Sequence, residues 1–432
     1  MRFLGIGDWN DLGDLYLQLR RDGHLVRVYI ADPEAHDILD GLVERIDDWR
    51  EHLGWIREAG SEGVIVFETV HHGQLQDDLR AAGYQVVGGT AFGDRLETDR
   101  AFGQQVMRDA GLEVLPSWSF SDAASACTFI TANPARYVMK CDTGSAVVCS
   151  THVGRATDGA DIAALLRMRM NRKGAGRILL TLYAAGVEVG VGAYFNGQRF
   201  LTPACLDWEH KRFFPGDIGE LTGEMGTLVT YRGAENLFGR TLARFAPPLH
   251  AAGYVGYINL NLIVDRTHIW PLEFTCRFGY PGYAILGTLQ VKGWADLFKR
   301  MLDPDARNFM VTSDYALGVV ITVPPFPYPD GYERLSKGLP ITFRDEWPDD
   351  AKHFHLAEAA LHAGGLVCAG QIGYPLVVTG TGKDAESAKH DAYARVERVI
   401  IPDMRYRHDI GDSFINGDRQ LLKEWGYLGS DL

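Results

Sequence analysis

Residues 254–282 read YVGYINLNLIVDRTHIWPLEFTCRFGYPG. Apolar and β-branched residues on either side of a polar turn at 265–267 predict two β-strands, at 258–264 and 268–274. The loop after the second strand places an arginine between a cysteine and two glycines. This hairpin and its loop therefore combine buried strands with ionisable side chains at their ends.

The ionisable side chains of the hairpin are Glu273, in the second strand, and Arg277, in the following loop. Alternation predicts that Asn259 and Asn261 lie on one set of strand faces and that Glu273 lies on the other. Charged groups beside a core are usually paired, so Glu273 is either a structural salt-bridge partner or a functional carboxylate.

The composition is that of an ordinary globular protein, with 432 residues, 46% of them hydrophobic, enough for roughly two to four domains. A formal charge of −13 argues against nucleic acid or an anionic membrane surface as the main partner. No apolar run is long enough to predict a membrane span, and the opening MRFLGIGDW predicts a strand rather than a signal peptide. Six cysteines without metal-ligand spacing are interpreted as reduced thiols. Together these features predict a cytoplasmic protein.

The N-terminal part alternates predicted strands with predicted helices, a pattern typical of a parallel sheet with a ligand crevice at the strand ends. The predicted strands are 3–6, 25–29, 63–67 and 85–87, and the predicted helices are 11–21 and 34–45. The loop GIGDWNDLGD contains Asp8, Asp11 and Asp14, which make a poor environment for a dianionic phosphate. The later loop FETVHHGQ offers His71 and His72, either as plain loop residues or as ligands.

The segment LEFTCRFGYPG resembles the metal-binding strand and loop of the glycinamide ribonucleotide synthetase (phosphoribosylamine–glycine ligase) family, whose pattern is close to IEFNCRFGDPE. The chain departs from that pattern at Thr275, Tyr280 and Gly282. Other similar segments follow in the family's order, among them LETDRAF, LDWEHKRFF, TGEMG, ALGVV and YRHDIG. The resemblance extends over essentially the whole chain.

The resemblance implies an α/β architecture, namely an ATP-grasp fold with an N-terminal doubly wound parallel-sheet domain and a C-terminal β-rich closing domain. The implied domains are 1–93 for the N-terminal α/β domain, 94–311 for the ATP-grasp domain, with a mobile lid subdomain at about 115–185, and 312–432 for the C-terminal domain. Members of this family use ATP to convert a carboxylate into an acyl phosphate. An amine then attacks the acyl phosphate and yields an amide, ADP and phosphate.

The resemblance also implies which residues bind ATP. Arg100 replaces a lysine that approaches the phosphates; a guanidinium suits phosphate oxygens, and a solvated helix arginine is the alternative. Lys140, at the end of a predicted strand, is implied to contact phosphate and adenine. Glu188 falls on the glutamate that holds the ribose hydroxyls. The hinge, which reads adenine largely through backbone groups, is implied at Thr181 and Tyr183.

Cationic residues are implied near the reacting groups. His210, Lys211 and Arg212 are expected to neutralise the transferring phosphoryl group. Arg277 is the candidate for binding the substrate carboxylate, because a guanidinium binds a carboxylate through two N–H groups.

The acceptor side is implied to follow in a glycine-containing loop. The substrate-contacting positions are Thr222, Gly223, Met225, Gly226 and Tyr280. Glu220 and Glu224 replace family residues in the same loop and add negative charge, which suits a more cationic substrate.

The implied metal ligands are Asn261, Glu273 and Thr275, and the implied metal is Mg²⁺, with Mn²⁺ as an alternative. Magnesium needs few protein ligands because phosphate oxygens and water complete its octahedron. A degenerate site that no longer supports turnover stays open as the other interpretation.

The departures from the family concentrate on the amine and phosphate side. The family's DGLAAGKGV phosphate clamp reads DTGSAVVCS at 142–150, which keeps one glycine and no second lysine. The segment MNRKGAG at 170–176 is an alternative source of basic charge.

Three functions stay open at this point. The first is an ATP-dependent carboxylate–amine ligase that uses a different amine from phosphoribosylamine. The second is a true phosphoribosylamine–glycine ligase of purine biosynthesis, and the third is a nucleotide- or metabolite-binding protein without turnover. The expected partners are a small carboxylate, such as the amino acid glycine, and a small amine, and the chain is expected to be a monomer or a homodimer.

Overall fold

The N-terminal part of the chain forms a five-stranded parallel sheet with helices in its connections. The structure is a computed structural model, which describes residues 1–142, 151–169, 177–347 and 350–429. The elements are β1 (Arg2–Gly7), α1 (Gly13–Arg21), β2 (Leu25–Ile30), β3 (Glu44–Arg45), α2 (Leu53–Glu58), β4 (Gly63–Phe67), α3 (Gly73–Ala81), β5 (Val86–Val87), α4 (Ala91–Thr98) and α5 (Arg100–Asp109).

The strands of this sheet follow the order β3-β2-β1-β4-β5, and every pair is parallel. The strand order reverses between β1 and β4, and in open parallel sheets ligands generally bind outside the carboxyl ends of the strands at such a point. The first strand is buried from Phe3 onward and β4 throughout, as expected for strands that are covered on both faces.

Residues 111–187 and 263–272 form a compact unit. Its elements are β6 (Ser117–Phe120), α6 (Ala123–Ala132), β7 (Tyr137–Asp142), β8 (His152–Val153), α7 (Ala160–Arg169) and β9 (Arg177–Leu182), and its sheet has the order β6-β9-β7-β8. Apolar side chains from α6, α7, β7 and β9 build its core, among them Ala126, Met139 and Leu180, which are fully buried.

The other unit comprises 1–110, 188–262 and 273–432. Its middle part contains β10 (Val187–Asn196), β11 (Cys205–Glu209), β12 (Arg212–Phe214), β13 (Ile218–Leu221), β14 (Gly226–Thr230), α8 (Glu235–Arg240), α9 (Ala246–Ala251), β15 (Val255–Val264), β16 (Ile269–Thr275), α10 (Gly282–Thr288), α11 (Gly293–Leu302) and β17 (Tyr315–Ile321). The adjoining ends of β15 and β16, at 263–264 and 269–272, are counted with the compact unit.

The C-terminal part continues with α12 (Tyr332–Leu335), β18 (Pro340–Phe343), α13 (Asp350–His353), β19 (Phe354–Leu356), β20 (Ala359–His362), β21 (Gly365–Cys368), β22 (Leu376–Gly382), α14 (Ala385–Val396), β23 (Val399–Ile400) and α15 (Arg419–Glu424). An eight-stranded sheet runs through both parts in the order β16-β15-β10-β11-β14-β17-β22-β19. A smaller sheet, β20-β21-β18-β23, and the β12–β13 hairpin complete the strands.

The predicted hairpin at 254–282 is confirmed as β15 and β16, and the predicted N-terminal strands are confirmed within a residue or two. The helix predicted at 34–45 is wrong. A single 3₁₀ turn forms at Pro33–Ala35, and the chain then takes left-handed conformations at Leu39 and Gly41. Hydrogen bonds from Leu39 N–H to Ala359 O and from Leu361 N–H to Asp40 O tie this segment to β20, so tertiary pairing replaces the helix.

The predicted face assignment in the hairpin is also wrong. Asn261 bonds to Glu188, and Lys211 lies within 4 Å of both Glu188 and Glu273, so the asparagine and Glu273 share one face. Alternation within each strand does not fix the register between two strands, which decides the relation of their faces.

In the described part of the chain, no helix combines the length and the apolar character that a membrane crossing requires. The cysteines whose side chains are described, Cys127, Cys205, Cys276 and Cys368, are free thiols. The compact unit at 111–187 contains the segment expected as the lid, while the division into three domains at 93 and 311 stays a prediction.

Candidate active site

One face of the eight-stranded sheet gathers acidic and amide side chains. They are Glu188 on β10, Asp207 and Glu209 on β11, Asn259 and Asn261 on β15, and Glu273 on β16. Asn259 Nδ2 donates to Asp207 Oδ2 at 2.6 Å, and Asn261 Nδ2 donates to Glu188 Oε1 at 3.0 Å. A glycine at position 190 makes room for Asp207, because a Cβ there would collide with its carboxylate.

Lys211 lies at the centre of these carboxylates. Its Nζ is 2.9 Å from Glu209 Oε2, 3.7 Å from Glu188 Oε1 and 3.8 Å from Glu273 Oε1. Burial alone would lower the pKa of Lys211, but the three carboxylates outweigh it and raise the pKa, so the side chain is an ammonium at neutral pH. Arg100 adds a second cation, with Nη1 3.9 Å from Glu273 Oε2. Glu273 therefore lies between two cations.

Asp207, which belongs to this face, and the nearby Glu224 are carboxyl groups that add little charge to the cluster. Burial raises the pKa of Asp207 and of Glu224, and the neighbouring Glu209 raises both further. Asp207 Oδ1 and Glu224 Oε1 are buried and have no hydrogen-bond partner among the described residues. Both groups therefore favour the protonated form near neutral pH.

The donor atoms of the predicted metal ligands Asn261, Glu273 and Thr275 can be compared with those that magnesium prefers. Glu273 and Thr275 are two residues apart on β16 and so share a face, and every donor in this set has an oxygen to offer, the ligand that magnesium prefers. Within residues 1–142, 151–169, 177–347 and 350–429, no group of three or more His, Cys, Asp and Glu side chains is arranged to hold a metal ion. The donor set thus fits a magnesium ion that takes most of its ligands from phosphate and water.

Arg277 has the geometry of a carboxylate-binding residue. Its Nε donates to Glu97 Oε1 at 3.0 Å, and Glu97 Oε2 accepts the N–H of Cys276 at 2.6 Å. Glu97 thus fixes both the backbone and the side chain of this loop. The two terminal nitrogens of Arg277 make no hydrogen bond to any described residue, which leaves a pair of parallel donors for a ligand.

Asp8 and Asp11 follow the carboxyl end of β1, at the point where the strand order reverses between β1 and β4. Asp8 Oδ1 is 3.1 Å from His72 Nε2, and Asp8 Oδ2 accepts the hydroxyl of Thr69 at 3.2 Å. Asp11 Oδ1 accepts the hydroxyl of Tyr374 at 3.4 Å. His72 therefore has an aspartate as its partner, and a role for it as a ligand stays a prediction.

Asp14, expected in the same environment, lies elsewhere. It belongs to the first turn of α1 and is completely buried. Its Oδ2 is 2.7 Å from His355 Nδ1, and His355 Nε2 is 3.0 Å from Thr379 Oγ1. The helix directs this side chain toward β19 and β22, so the prediction that Asp14 disfavours a phosphate is wrong.

His210 and Arg212 are held by the β12–β13 hairpin and its surroundings. His210 is buried, and its Nε2 accepts the N–H of Gly411 at 3.3 Å. Burial and the nearby Arg407 lower the pKa of His210, so the imidazole is neutral. This corrects the prediction for His210, because a neutral imidazole adds no positive charge. Arg212 Nη1 donates to Gly219 O at 2.6 Å, and its predicted role stays untested.

Arg407 and Asp409 fasten the same hairpin and were missed from the sequence. The side chain of Arg407 is 1% exposed. Its guanidinium donates two hydrogen bonds of 2.7 Å to Asp409 and one of 2.8 Å to Asp217. Asp409 Oδ2 also accepts the N–H of Gly216 at 2.8 Å. Both residues lie in the segment YRHDIG, which was recognised as similar to the family, but the similarity did not indicate what its arginine and aspartate do.

The predicted acceptor loop supports the backbone of the central lysine. Thr222 donates to Lys211 O through its N–H at 2.8 Å and through its hydroxyl at 2.9 Å. Met225 is fully buried, and Gly226 has a φ of 150°, where a Cβ would meet the backbone of β17. At Gly223 no atom lies near the place of a Cβ. Direct substrate contacts of these residues stay predictions.

Tyr280, the last predicted substrate residue, pairs with an aromatic ring from the C-terminal part. Its ring centroid is 5.0 Å from that of Tyr374, and its hydroxyl oxygen is buried without a hydrogen-bond partner among the described residues. Burial raises the pKa of both hydroxyls, so both rings are neutral phenols.

Lys140, Thr181 and Tyr183 belong to the unit at 111–187. Lys140 lies on β7 opposite Leu179 of β9, Thr181 is buried on β9, and the ring of Tyr183 lies 3.4 Å from the guanidinium carbon of Arg136. The segments 143–150 and 170–176, where phosphate contacts were expected, are outside the described residues. Nucleotide binding by these side chains stays a prediction.

Two family models match the chain. One describes the ATP-grasp (A) domain of phosphoribosylglycinamide synthetase and matches residues 98–283, and the other describes its C domain and matches residues 316–413. Together they account for more than half of the chain.

Curated relatives and solved structures agree with these models. The chain is 26% identical over 437 residues to a phosphoribosylamine–glycine ligase of Neisseria meningitidis serogroup B, with 96% of this chain and 100% of the relative covered. It is 28% identical over 436 residues to that of Streptococcus pneumoniae strain R6, with the same coverage. A crystal structure of phosphoribosylamine–glycine ligase from Thermotoga maritima is similar in fold, with a TM-score of 0.71 at 21% identity, covering 95% of this chain and 100% of that one.

The matched models include the hairpin, the lysine-centred carboxylate face and the Arg277 loop. Because two models of this family match most of the chain, and relatives from it match nearly all of it, the chain belongs to the phosphoribosylglycinamide synthetase family of ATP-grasp, C–N bond-forming ligases.

Proposed function

We propose that this protein joins a carboxylate to an amine through an acyl phosphate made with ATP, and that its amine differs from phosphoribosylamine. The observation that carries the first part is the oxygen-donor face around Lys211 and Glu273 next to the Arg277 loop. The second part is supported by the aspartates after β1, where the family's glycine-rich loop is expected to receive a phosphate.

The reaction has two balanced steps. A carboxylate oxygen of the substrate attacks the γ-phosphorus of ATP, a P–O bond forms, the bond to the β-phosphate breaks, and ADP leaves. The amine nitrogen then attacks the acyl carbon, the C–N bond forms, the C–O bond to phosphorus breaks, and phosphate and a proton leave. Each step therefore needs charge compensation around phosphate and a fixed position for the carboxylate.

The side chains of this protein match those needs. Lys211 and Arg100 are cations beside Glu273 and oppose the charge of the phosphates, while the paired terminal nitrogens of Arg277 bind the carboxylate of the substrate. Glu273, Asn261 and Thr275 are the proposed magnesium ligands. A bound magnesium ion would neutralise part of the charge on the triphosphate. Holding both substrates together contributes roughly 7–11 kcal/mol to lowering the barrier.

The direct test is ADP release from MgATP with a panel of amino acids, glycine first. Each amino acid is combined with phosphoribosylamine generated in situ and, separately, with simple amines, amino sugars and aminonucleosides. ADP formed with an amine other than phosphoribosylamine is the expected result.

Two outcomes would contradict the proposal in different ways. ADP formed only with glycine and phosphoribosylamine would assign the purine-pathway reaction instead. No ADP with any pair, although ATP binding is measurable by equilibrium dialysis, would favour a binding protein without turnover.

A further inference from the structure

Lys211 lies in the short connection between β11, which ends at Glu209, and β12, which begins at Arg212. Its backbone is held from one side by Thr222, whose N–H and hydroxyl both donate to Lys211 O, at 2.8 and 2.9 Å. A lysine side chain is long and flexible, so the place that its ammonium can reach depends on where the backbone is held. The position of this ammonium therefore depends on what fixes residues 210–212.

A segment from the C-terminal part, residues 407–411, holds both chain neighbours of Lys211. Arg407 Nη1 donates to Arg212 O at 2.9 Å, and the N–H of Gly411 donates to His210 Nε2 at 3.3 Å. The side chains of Arg407 and His210 are buried, so both hydrogen bonds are shielded from water. The backbone on each side of the lysine is thus fixed by the same distant segment.

The segment 407–411 is itself anchored to α14 and packs against β14. Tyr393, in α14, donates its hydroxyl to Arg407 O at 2.7 Å and accepts the N–H of Ile410 at 3.2 Å. The side chain of Ile410 lies against Gly226, where a Cβ would come within 2.9 Å of Ile410 Cγ1. The hydrogen bonds to the neighbours of Lys211 therefore come from a support that is fixed on two sides.

A purely stabilising role does not account for a histidine at position 210. The side chain is buried, and an apolar ring of similar size would bury as much surface without a polar group to satisfy. Its imidazole is neutral, so it adds no charge to the site either. The ring does supply a directed acceptor, since a hydrogen bond weakens steeply when it is bent. His210 therefore fixes its own backbone relative to the segment 407–411.

We infer that His210 and Arg407 are positioning residues, which set the place of the Lys211 ammonium by holding the backbone on each side of it. The inference rests on the proposed function for the role of Lys211, which is to oppose the charge of the terminal phosphate of ATP. In such a role position is decisive, because a misplacement of about 1 Å can lower a rate about 100-fold. Positioning also replaces charge neutralisation as the role of His210.

The test is a double-mutant cycle on nucleotide binding, which needs no turnover. Calorimetry of the full chain gives the Kd of the magnesium complexes of ADP and of adenylyl imidodiphosphate, and the ratio of the two values reports the contact with the terminal phosphate. His210→Phe keeps a buried ring and removes the acceptor. It is expected to lower the preference for the triphosphate analogue about tenfold. In the Lys211→Met background the same substitution is expected to change the ratio by less than about twofold, because its effect passes through the lysine.

Two variants serve as controls. His210→Gln offers an oxygen acceptor near the position of Nε2 and is expected to keep the ratio within about threefold of the parent value. His390→Phe, at an exposed histidine of α14, is expected to leave the ratio unchanged. Thermal melts check that each variant is folded. If His210→Phe does not fold, Arg407→Lys takes its place in the cycle, because it keeps the charge and loses the parallel donors.

Three results would overturn the inference alone: an unchanged ratio in His210→Phe, an equal loss with and without Lys211, and an equal loss in His210→Phe and His210→Gln. An unchanged ratio in Lys211→Met would contradict the role of the lysine in the proposed function and the inference with it, as would a parent protein that binds neither nucleotide. Coupling in the cycle without ADP release from any substrate pair would contradict the ligase activity and leave the inference intact.

Discussion

The sequence predicted the position of Glu273 in its strand but not the surroundings of its carboxylate. The motif predicted its position at the end of a strand, but not the two cations within 4 Å of it, because Lys211 and Arg100 come from distant segments. The carboxylate is therefore neither a lone ligand nor a plain salt bridge. It contacts both cations and lies on the same face as the oxygen donors of the site.

Replacing Glu273 by Gln removes the negative charge and keeps the shape of the side chain. We expect the rate of ADP release to fall by roughly 100-fold or more, because the proposed metal ligand and one of the three carboxylate partners of Lys211 are lost together. The measurement is ADP release under saturating MgATP, with Glu51→Gln, at an exposed position, as the control. An unchanged rate would remove Glu273 from the metal site.

Arg277 and Glu97 can be separated kinetically. Arg277→Lys keeps the charge and loses the paired donors, so the KM for the carboxylate substrate is expected to rise more than about tenfold, which is about 1.4 kcal/mol. Glu97→Gln keeps a hydrogen-bond acceptor for the Arg277 loop and is expected to raise the same KM by a smaller factor. Steady-state kinetics with the active substrate pair give both values. If neither KM moves, the carboxylate binds elsewhere.

The buried carboxyl group of Glu68 makes the stability of the fold depend on pH. Burial raises the pKa of Glu68 from 4.5 to about 8, so the folded state keeps a proton that the unfolded state releases. The contribution of this group is fully present below pH 4.5 and is lost as the pH rises through about 8. We expect Glu68→Gln to remove this slope and to be more stable than the parent at pH 8, by on the order of a few kcal/mol. Urea unfolding between pH 5 and pH 8.5 measures it, and parallel slopes for both proteins would contradict the assignment.

At the scale of elements, the sequence predicted strands that have a local repeating pattern and missed a segment whose structure depends on distant partners. The strands of the N-terminal sheet and the central hairpin were identified because alternation and apolar runs are local signals. The segment 34–45 looked helical by the same criterion. Its backbone instead pairs with β20, more than three hundred residues away, which no local pattern reports.

The β12–β13 hairpin is held in place by side chains from a distant part of the sequence. Arg407 is buried under it and bonds to Asp409 and Asp217. Arg407→Met would leave Asp409 without its guanidinium, and we expect the free energy of unfolding to fall by about 3–5 kcal/mol. The control is Arg419→Met, which breaks a partly exposed pair with Glu386 and is expected to cost about 0–1 kcal/mol. Urea unfolding distinguishes the two, and equal losses would contradict the role of Arg407.

At the scale of the whole molecule, the N-terminal sheet and the C-terminal strands are tied together by buried polar groups. Asp14 in α1 meets His355 in β19, and Gly370 N–H donates to Asp37 at 3.1 Å. Composition, charge and motif order predicted the fold class, yet this connection was not foreseen. Asp14 looked like one aspartate among three in a loop, and its partner lies 341 residues away.

The Asp14–His355 pair gives a prediction at this scale. Asp14→Ala leaves the Nδ1 atom of the buried His355 imidazole without its carboxylate partner, while Nε2 keeps Thr379, and we expect a loss of about 1–3 kcal/mol in the free energy of unfolding. The double variant Asp14→Leu with His355→Phe removes both polar groups and is expected to recover most of that loss. Denaturant unfolding of the single and double variants measures the coupling, and additive losses would show that the pair contributes nothing as a pair.

The hydrogen bond between Asp11 and Tyr374 spans 363 residues, and this span has a consequence for synthesis of the chain. At about 5–20 residues per second, roughly 20–70 s separate the emergence of the two residues from a ribosome. Well before the end of that interval the strands β1 to β5 have all been made, whereas Tyr374 and Glu358 do not yet exist. A nascent chain can thus form its first sheet early, but Asp11 acquires its partner Tyr374 only when translation is nearly finished.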